Sequence, residues 1–232
     1  GSGNVPDTDS IHAFRATYNV TPPTTLTGVT NFDYVEPDLT NGRPLAGTLN
    51  PGQNVVILKY KRKQAGDITV HHYEVGQTTE LYTPTGAAAP SAEVFDGTAK
   101  LGLTENLTNK AAAIANFEYV SVDRSGAGSA TTPSATGDTT VTYQTAPQTV
   151  TYYYKRKNAA NITVHHYEDR TTTELYSQTA GGTPSAVTIS GAGKLGLTED
   201  LTNKVADILN YEYVSVDVSG APSATSPSST GE

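Results

Sequence analysis

Apolar and polar side chains alternate in one short stretch that occurs twice in the chain. The stretch reads Ile-Thr-Val-His-His-Tyr-Glu at 68–74 and again at 162–168. Successive side chains of a β-strand point to opposite faces, so the pattern predicts a half-buried strand in each copy. In the first copy the two faces would carry Ile68, Val70 and His72 on one side and Thr69, His71 and Tyr73 on the other.

The two copies belong to a long internal repeat. At an offset of 94 residues, Tyr60 to Asp138 align without a gap with Tyr154 to Glu232, and 51 of these 79 positions are identical. Such self-similarity is typical of tandem arrays. We therefore divide the chain into a shortened, diverged relative of the repeat at 1–63, repeat 1 at 64–157 and repeat 2 at 158–232.

Further strands are predicted where β-branched and aromatic residues alternate with polar ones. A turn at 75–77 leads from the first strand into 78–82 as a hairpin, and a short extended piece follows around 92–95. A Ser, Gly, Ala, Thr and Pro segment at 124–138 is expected to carry no core residues. The remaining predicted strands are 11–18, 31–38, 54–63, 117–123, 140–143 and 149–154.

One helix is predicted in each repeat, over 104–115 in the first copy. Thr104 would cap its start, and apolar residues recur at helical spacing. Asn116 and Asn210 stand where a left-handed residue ends a helix. The apolar sets are Leu107, Ala111 and Ile114 in repeat 1, and Leu201, Val205, Ile208 and Leu209 in repeat 2.

The order strand, strand, helix, strand, strand predicts an α+β fold in which one short helix packs on a mixed, mostly β sheet of the β-grasp (ubiquitin-like) type. Tandem modules of this kind would form an elongated rod. The position of the boundary between the modules stays open. Either 149–157 opens repeat 2, which we favour because 1–63 needs 54–63 to form a sheet, or repeat 2 lacks its last strand and leaves a sheet edge unpaired.

Composition and charge narrow the classes of function. The chain has no Cys, so disulfides, thiolate metal sites and cysteine nucleophiles are excluded. Its net charge of −8 argues against nucleic acid, which requires a basic face. The two Lys-Arg-Lys runs, 61–63 and 155–157, are interpreted as solvated strand ends or junctions.

No apolar run has the length of a membrane span. Gly1-Ser2-Gly3 looks like a remnant of expression, which indicates a piece of a longer protein.

Three of the repeated stretches resemble those of a known family. Ile162-Thr-Val-His-His-Tyr-Glu-Asp169, with Val150-Thr-Tyr-Tyr-Tyr-Lys155 and Tyr211-Glu-Tyr-Val-Ser-Val-Asp217, is similar to the mucin-binding-protein (MucBP) repeat of Gram-positive surface proteins. The resemblance covers most of 55–232. It implies a ubiquitin-like β-grasp unit, anchoring to the cell wall outside the cell and, for some members, adhesion to mucus glycoproteins.

Three kinds of chemistry are weighed against structural roles. The His pairs cannot chelate one ion from a single strand, because neighbouring residues point to opposite faces, so we predict no metal and no cofactor. Catalytic motifs are missing, and we predict no enzymatic activity. Lys100 and Lys194, with Glu80 or Glu174 as the proton-transferring acid, are candidates for an internal isopeptide bond, although solvated lysines fit the same pattern.

Ligand binding is assigned to the repeated aromatic positions, where rings offer apolar faces to sugars and polar tips to hydroxyls. The candidate residues are His71, Tyr73, His165 and Tyr167. We therefore expect a monomeric, non-enzymatic adhesin that binds mucin or host glycoprotein glycans through both repeats. The alternative is a structural stalk without a ligand site. An adhesin requires the repeated cluster to face solvent, whereas a stalk buries its repeated residues at junctions between modules.

Overall fold

A computed structural model describes residues 16–24, 28–111, 113–202, 204 and 207–231. Within these ranges every regular element is a β-strand and there is no helix. The predicted α+β, β-grasp fold with one helix per repeat is therefore wrong. The strands are β1 Thr17–Asn19, β2 Phe32–Pro37, β3 Ala46–Thr48, β4 Leu58–Arg62, β5 Ile68–Glu74, β6 Glu93–Phe95, β7 Thr104–Asn106, β8 Phe117–Asp123, β9 Thr140–Thr142, β10 Gln148–Arg156, β11 Ile162–Val164 and β12 Val187–Ile189.

The largest sheet has four strands in the order β6-β5-β10-β8. Strand β5 alternates as predicted, with Ile68, Val70 and His72 fully buried. Strand β10 lies between β5 and β8, and Val150, Tyr152 and Tyr154 of β10 are at most 1% exposed. These six residues form most of the centre of the core, because each strand turns one face of alternating apolar and aromatic side chains inward.

The helix predicted over 104–115 does not form where the chain is described. Residues 104–106 instead form β7, which pairs antiparallel with β9. Local side chains compete with helical hydrogen bonds here, because Asn106 Oδ1 accepts from the backbone N–H of Thr108, and Asn109 has a φ of 62°. Leu107 is nevertheless fully buried, so its predicted core role is correct for a different reason.

The predicted left-handed residues are confirmed, since Asn116 and Asn210 both have a φ of 68°. They precede 117–123 and 211–217 rather than end a helix. In the apolar set predicted for repeat 2, Leu201 and Leu209 are exposed. Val205 lies outside the described residues.

Two small sheets form in the N-terminal segment. Strand β1 pairs antiparallel with β3, and β2 pairs antiparallel with β4. The strand predicted at 11–18 falls largely on 11–15, outside the described residues, and β1 begins at Thr17. The strand predicted at 54–63 is shorter than expected, and β3 was not predicted.

In repeat 2, β11 pairs antiparallel with β12 in a two-stranded sheet. The register matches β5 and β6 at the offset of 94, because Ile68 faces Phe95 and Ile162 faces Ile189. Strand β10 lies in the sheet of β5, not in that of β11. Repeat 2 therefore reproduces one half of the four-stranded sheet among its described residues.

The chain divides into two compact units. The first contains residues 1–112 and 119–153, and the second contains 113–118 and 154–232. The first unit therefore includes the N-terminal segment together with most of repeat 1.

Candidate functional site

The predicted ligand residues of repeat 1 form a closed polar cluster with Glu80. His71 Nδ1 lies 2.5 Å from Glu80 Oε1 and 2.8 Å from the hydroxyl oxygen of Tyr73. The other carboxylate oxygen of Glu80 accepts from the backbone N–H of His72 at 3.1 Å. Glu80 is placed there by an isolated bridge between Tyr73 and Glu80, which closes the hairpin predicted from the sequence.

The polar groups of this cluster are engaged with one another. The rings of His71 and Tyr73 stack with centres 5.0 Å apart. Burial, followed by the nearby Glu80 carboxylate, raises the pKa of the Tyr73 hydroxyl above its ordinary value. The hydroxyl therefore stays protonated at neutral pH and remains a hydrogen-bonding partner within the cluster.

Repeat 2 contains the same cluster in a more open position. His165 Nδ1 pairs with Glu174 Oε1 and lies 2.9 Å from the Tyr167 hydroxyl. The His165 side chain is 44% exposed, against 25% for His71, and Tyr167 is 43% exposed. The structure thus brings together His71 with Tyr73 and His165 with Tyr167, and the second pair is the more exposed to solvent.

The other histidine of the first pair, His72, is a core residue. Its ring is stacked on Tyr152 and tilted against Tyr82, with centres 5.4 and 4.8 Å away. Its Nε2 lies 2.7 Å from the Lys110 carbonyl oxygen, to which it donates a hydrogen bond. Burial lowers the pKa of His72, although the Lys110 carbonyl partly opposes this effect. The prediction that the two histidines serve different faces is confirmed.

The two lysines that are candidates for an isopeptide bond contact other side chains than the glutamates predicted to assist them. Lys100 Nζ lies 3.1 Å from the Tyr143 hydroxyl and 3.7 Å from Glu105. Lys194 Nζ lies 2.9 Å from Glu199. The acids beside these lysines are thus Glu105 and Glu199, not Glu80 and Glu174. In the described part of the chain, no group of three or more histidine and carboxylate side chains could hold a metal ion.

A second repeated constellation lies where the N-terminal segment meets repeat 1. The guanidinium of Arg62 lies 4.5 Å from the ring centre of Phe32 and donates to the Leu101 carbonyl at 2.8 Å. The Leu101 amide donates to the Lys63 carbonyl at 3.2 Å, and the Lys63 amide donates to the Asn31 carbonyl at 2.9 Å. We call this set the first junction clamp.

The second junction clamp has the same contacts within the second unit. Arg156 lies 4.4 Å from the ring centre of Phe117 and donates to the Leu195 carbonyl at 3.0 Å. The Leu195 amide donates to the Lys157 carbonyl at 3.0 Å, and the Lys157 amide donates to the Asn116 carbonyl at 2.8 Å. The ends of β8 and β10 thus hold the loop of repeat 2 that contains Leu195.

Each junction clamp also requires a glycine. Gly102 and Gly196 have φ values of 77° and 80°. An added Cβ would lie 2.2 Å from Asn31 Nδ2 at Gly102 and 2.3 Å from Asn116 Nδ2 at Gly196. A side chain at either position would therefore meet both backbone strain and the asparagine that precedes the aromatic residue.

Sequence reasoning identified the Lys-Arg-Lys runs as strand ends or junctions but did not find the aromatic partner of each arginine. The sequence does contain repeated residue pairs that mark the contacts of both clamps. The Asn-Phe pair at 31–32 echoes the pair at 116–117, and the Leu-Gly pair at 101–102 returns at 195–196. These echoes lie far apart along the chain, so only the fold reveals that they meet.

Comparison with known proteins does not identify a family. The chain matches no protein-family model and no curated protein. Among the described residues, no helix has the length and apolar character to cross a bilayer. The resemblance to MucBP repeats stays a prediction.

Proposed function

We propose that the chain is a non-enzymatic structural spacer, whose successive modules are linked by the junction clamps. The observation that carries this proposal is the recurrence of one set of contacts in both clamps. Arg62 and Arg156 each combine an aromatic ring with a backbone carbonyl of the following module. A spacer needs such a contact at every junction, whereas a ligand site needs free polar groups.

The predicted ligand residues support the same choice in repeat 1. His71 Nδ1 contacts both the Glu80 carboxylate and the Tyr73 hydroxyl, and the His71 side chain is 25% exposed. A sugar would have to compete with these internal hydrogen bonds. We also propose that the spacer lies on a bacterial surface, on the basis of the resemblance to MucBP repeats.

A second candidate function is adhesion to mucin-type glycans through repeat 2. It is favoured by the exposure of Tyr167 and by the stacking of its ring on His165, with centres 4.9 Å apart. Aromatic faces of this kind suit weak contacts with sugar C–H groups. Binding at one exposed cluster would be weak unless several copies act together.

Two measurements separate these functions. The spacer proposal expects no saturable binding of the chain to immobilised mucin at high protein concentration. It also expects Arg156→Ala to shorten the lifetime of the folded chain under a constant pulling force, with Lys155→Ala as the matched control. Saturable mucin binding that disappears in Tyr167→Ala would overturn the spacer in favour of the adhesin. If Arg156→Ala has the same lifetime under force as the wild type, the second junction clamp does not contribute to mechanical stability.

A further inference from the structure

The turn that follows β2 contains a chemically labile pair of residues. Asn41 is followed by Gly42, and no other asparagine of the sequence precedes a glycine. Asparagine is among the least heat-stable residues in proteins. Before a glycine it loses its side-chain amide most readily, because no side chain hinders the attack of the next backbone nitrogen on the side-chain carbonyl carbon. Asn41 is also exposed to solvent.

Asp38 holds this turn closed with both of its side-chain oxygens. Its Oδ1 accepts from the backbone N–H groups of Thr40 and Asn41 at 3.1 and 3.4 Å. Its Oδ2 accepts from the side-chain amide of Asn41 at 3.1 Å. Asp38 is 9% exposed, and Lys59 Nζ lies 3.4 Å from its Oδ1. An aspartate that accepts from the backbone two residues ahead is a common way to form a turn.

The backbone of the turn also requires a glycine at position 42. The Gly42 amide donates to the Asp38 carbonyl at 2.9 Å. A Cβ added at Gly42 would lie 3.0 Å from this carbonyl oxygen and 3.1 Å from the backbone nitrogen of Ile57. The turn thus uses Asn41 for its bond to Asp38 and Gly42 for the close approach of the backbone. The labile pair is therefore part of the structure of the turn.

Deamidation requires atoms that the closed turn holds in other contacts. The Gly42 nitrogen must give up its proton and attack Cγ of Asn41, which forms a five-membered succinimide and releases the side-chain nitrogen as ammonia. Water then opens the ring to aspartate or isoaspartate. In the closed turn, the Gly42 N–H is donated to the Asp38 carbonyl, and the side-chain amide of Asn41 is held by Asp38 Oδ2.

The charge of the Asp38 carboxyl acts in the same direction, because departing ammonia needs a proton. The hydrogen bond from the Asn41 side chain is the main cause that holds the pKa of Asp38 below its ordinary value, and burial opposes it. Asp38 is therefore an ionised acceptor at neutral pH and does not supply that proton.

We propose that Asn41 is a deamidation site that the Asp38 turn protects, and that deamidation opens the turn irreversibly. The aspartate product has a carboxylate where Asn41 has an N–H donor. Two like charges would then face each other across the 3.1 Å that now join Asn41 to Asp38. Isoaspartate would also lengthen the main chain of the turn. The reaction therefore follows a transient opening, and its product does not close again with the same hydrogen bonds.

An opened turn would also affect the neighbouring sheet, because Arg43 connects the two. The Arg43 amide donates to the Val55 carbonyl at 2.8 Å, directly beyond the turn. Its guanidinium lies 5.1 Å from the ring centre of Tyr18 in β1 and donates to the Thr48 carbonyl in β3 at 2.6 Å. Deamidation would thus loosen the link between the β1–β3 pair and the β2–β4 pair, at the end of β2 away from the first junction clamp.

Deamidation rates of the full chain test the protection. The wild type is incubated at neutral pH, folded in buffer and unfolded in concentrated urea, and the peptide that contains Asn41 is followed by mass spectrometry. Enzymatic methylation of isoaspartate gives an independent readout. We expect the folded chain to react at least about tenfold more slowly, because the reaction requires the turn to open. Equal rates in the two states would overturn the proposal.

Variants of Asp38 test which group protects the site. In folded Asp38→Ala, the rate should rise several-fold toward that of the unfolded chain, because the side-chain bonds that close the turn are lost. Asp33→Ala is the matched control and should react like the wild type, since Asp33 lies on β2 with a side chain that is 53% exposed.

Hydrogen exchange of the β2–β4 amides will establish that each variant keeps this strand pair. Asp38→Asn is the second variant if Asp38→Ala loses it. The same increase is expected there, because one of the two acceptors becomes a donor that faces Asn41. A wild-type rate in an Asp38 variant that keeps the strand pair would show that the carboxylate does not protect Asn41.

Asn41→Asp reproduces one product and measures the effect of its charge. Asn41→Ser is the matched control, because serine removes the side-chain amide without adding a charge. We expect Asn41→Asp to unfold at a lower urea concentration than Asn41→Ser, and this difference to disappear when each is combined with Asp38→Ala. Equal stability of the two variants in the presence of Asp38 would contradict the irreversible opening.

Discussion

The guanidinium of Arg156 lies over the ring of Phe117, with 4.4 Å between its central carbon and the ring centre. The same arginine donates to the Leu195 carbonyl at 3.0 Å. Arg62 makes the equivalent pair of contacts. A planar cation suits this double role, because it stacks on the ring with its face and donates with its edge.

We expect Arg156→Ala to lower the free energy of unfolding by about 1–3 kcal/mol, the combined effect of a lost cation–π contact and a lost hydrogen bond to a carbonyl. Amide exchange at Leu195 should accelerate. Arg156→Lys should recover only part of the loss, because an ammonium lacks the planar face. The control is Lys155→Ala, since Lys155 is 64% exposed in a surface ion pair with Glu118 and contributes little. Equal losses in Lys155→Ala and Arg156→Ala would contradict the stacking role.

The clamp glycine allows a separate test in the same loop. Gly196→Ala adds both a strained φ and a collision with Asn116, so we expect a loss of roughly 2–4 kcal/mol. Gly193→Ala is the matched control. Gly193 has a φ of 64°, and no atom lies within 4 Å of its added Cβ. The loss of stability in Gly193→Ala should therefore be limited to the backbone cost of a left-handed alanine, about 1–2 kcal/mol. Urea unfolding followed by circular dichroism measures both, and indistinguishable midpoints would argue against the close contact.

Identical residues in the two repeats should differ in their contribution to stability. Leu107→Ala should cost about 2–5 kcal/mol, because it removes a fully buried side chain and leaves a cavity. Leu201→Ala should cost about 1 kcal/mol or less, because Leu201 is 36% exposed. Urea titrations of both variants at a protein concentration where the chain is monomeric provide the comparison. Similar losses would mean that Leu201 is also packed in a core.

Acid should destabilise repeat 1 through His72. Burial holds the pKa of His72 below its ordinary value of 6.5, so the unfolded chain takes up the proton first as the pH falls. The contribution to stability is complete above about pH 6.5 and is lost progressively as the pH falls from there to the folded pKa. Unfolding free energies measured between pH 7.5 and 5 should therefore decrease. In His72→Gln the decrease should be smaller, and an unchanged slope would assign the effect to other groups.

Several elements of the fold follow from short-range patterns. The alternation at 68–74 correctly predicts β5 and its buried face, because the period of a strand is set by the backbone itself. The prediction of 117–123 as a strand matches β8. Both segments are rich in β-branched and aromatic residues, so local preference and tertiary packing agree.

The helix prediction is wrong because apolar residues at helical spacing can also be buried one by one in a segment that is not a helix. Leu107 is fully buried directly after β7, which pairs with β9, and it does not lie on a helical face. Helical spacing was found in a segment whose Asn and Thr side chains bond their own backbone, which favours turns. The segment at 124–138 was also misjudged, since Ala127 is 2% exposed and its amide donates to the Arg124 carbonyl.

The candidate site was predicted in part. The pairing of His71 with Tyr73 follows from their positions two residues apart on one face of a strand. Their engagement with Glu80 depends on where the hairpin returns, and the clamps depend on residues more than 30 positions apart, such as Arg62 and Leu101. Contacts of that range are decided by the sheet order, which the single sequence does not reveal.

The near identity of β5 and β11 also affects the time course of folding. Strand β10 completes the sheet of β5, but only residues 157–161 separate β10 from β11. Short loops close faster than long ones, so an early intermediate should pair β10 with the nearer copy as a non-native antiparallel hairpin. The native sheet would then form only after that pairing breaks, as a slow refolding phase that Ile162→Asp should remove. The sequence repetition of an array thus gives each folding chain a second strand, β11, that competes with β5 for β10.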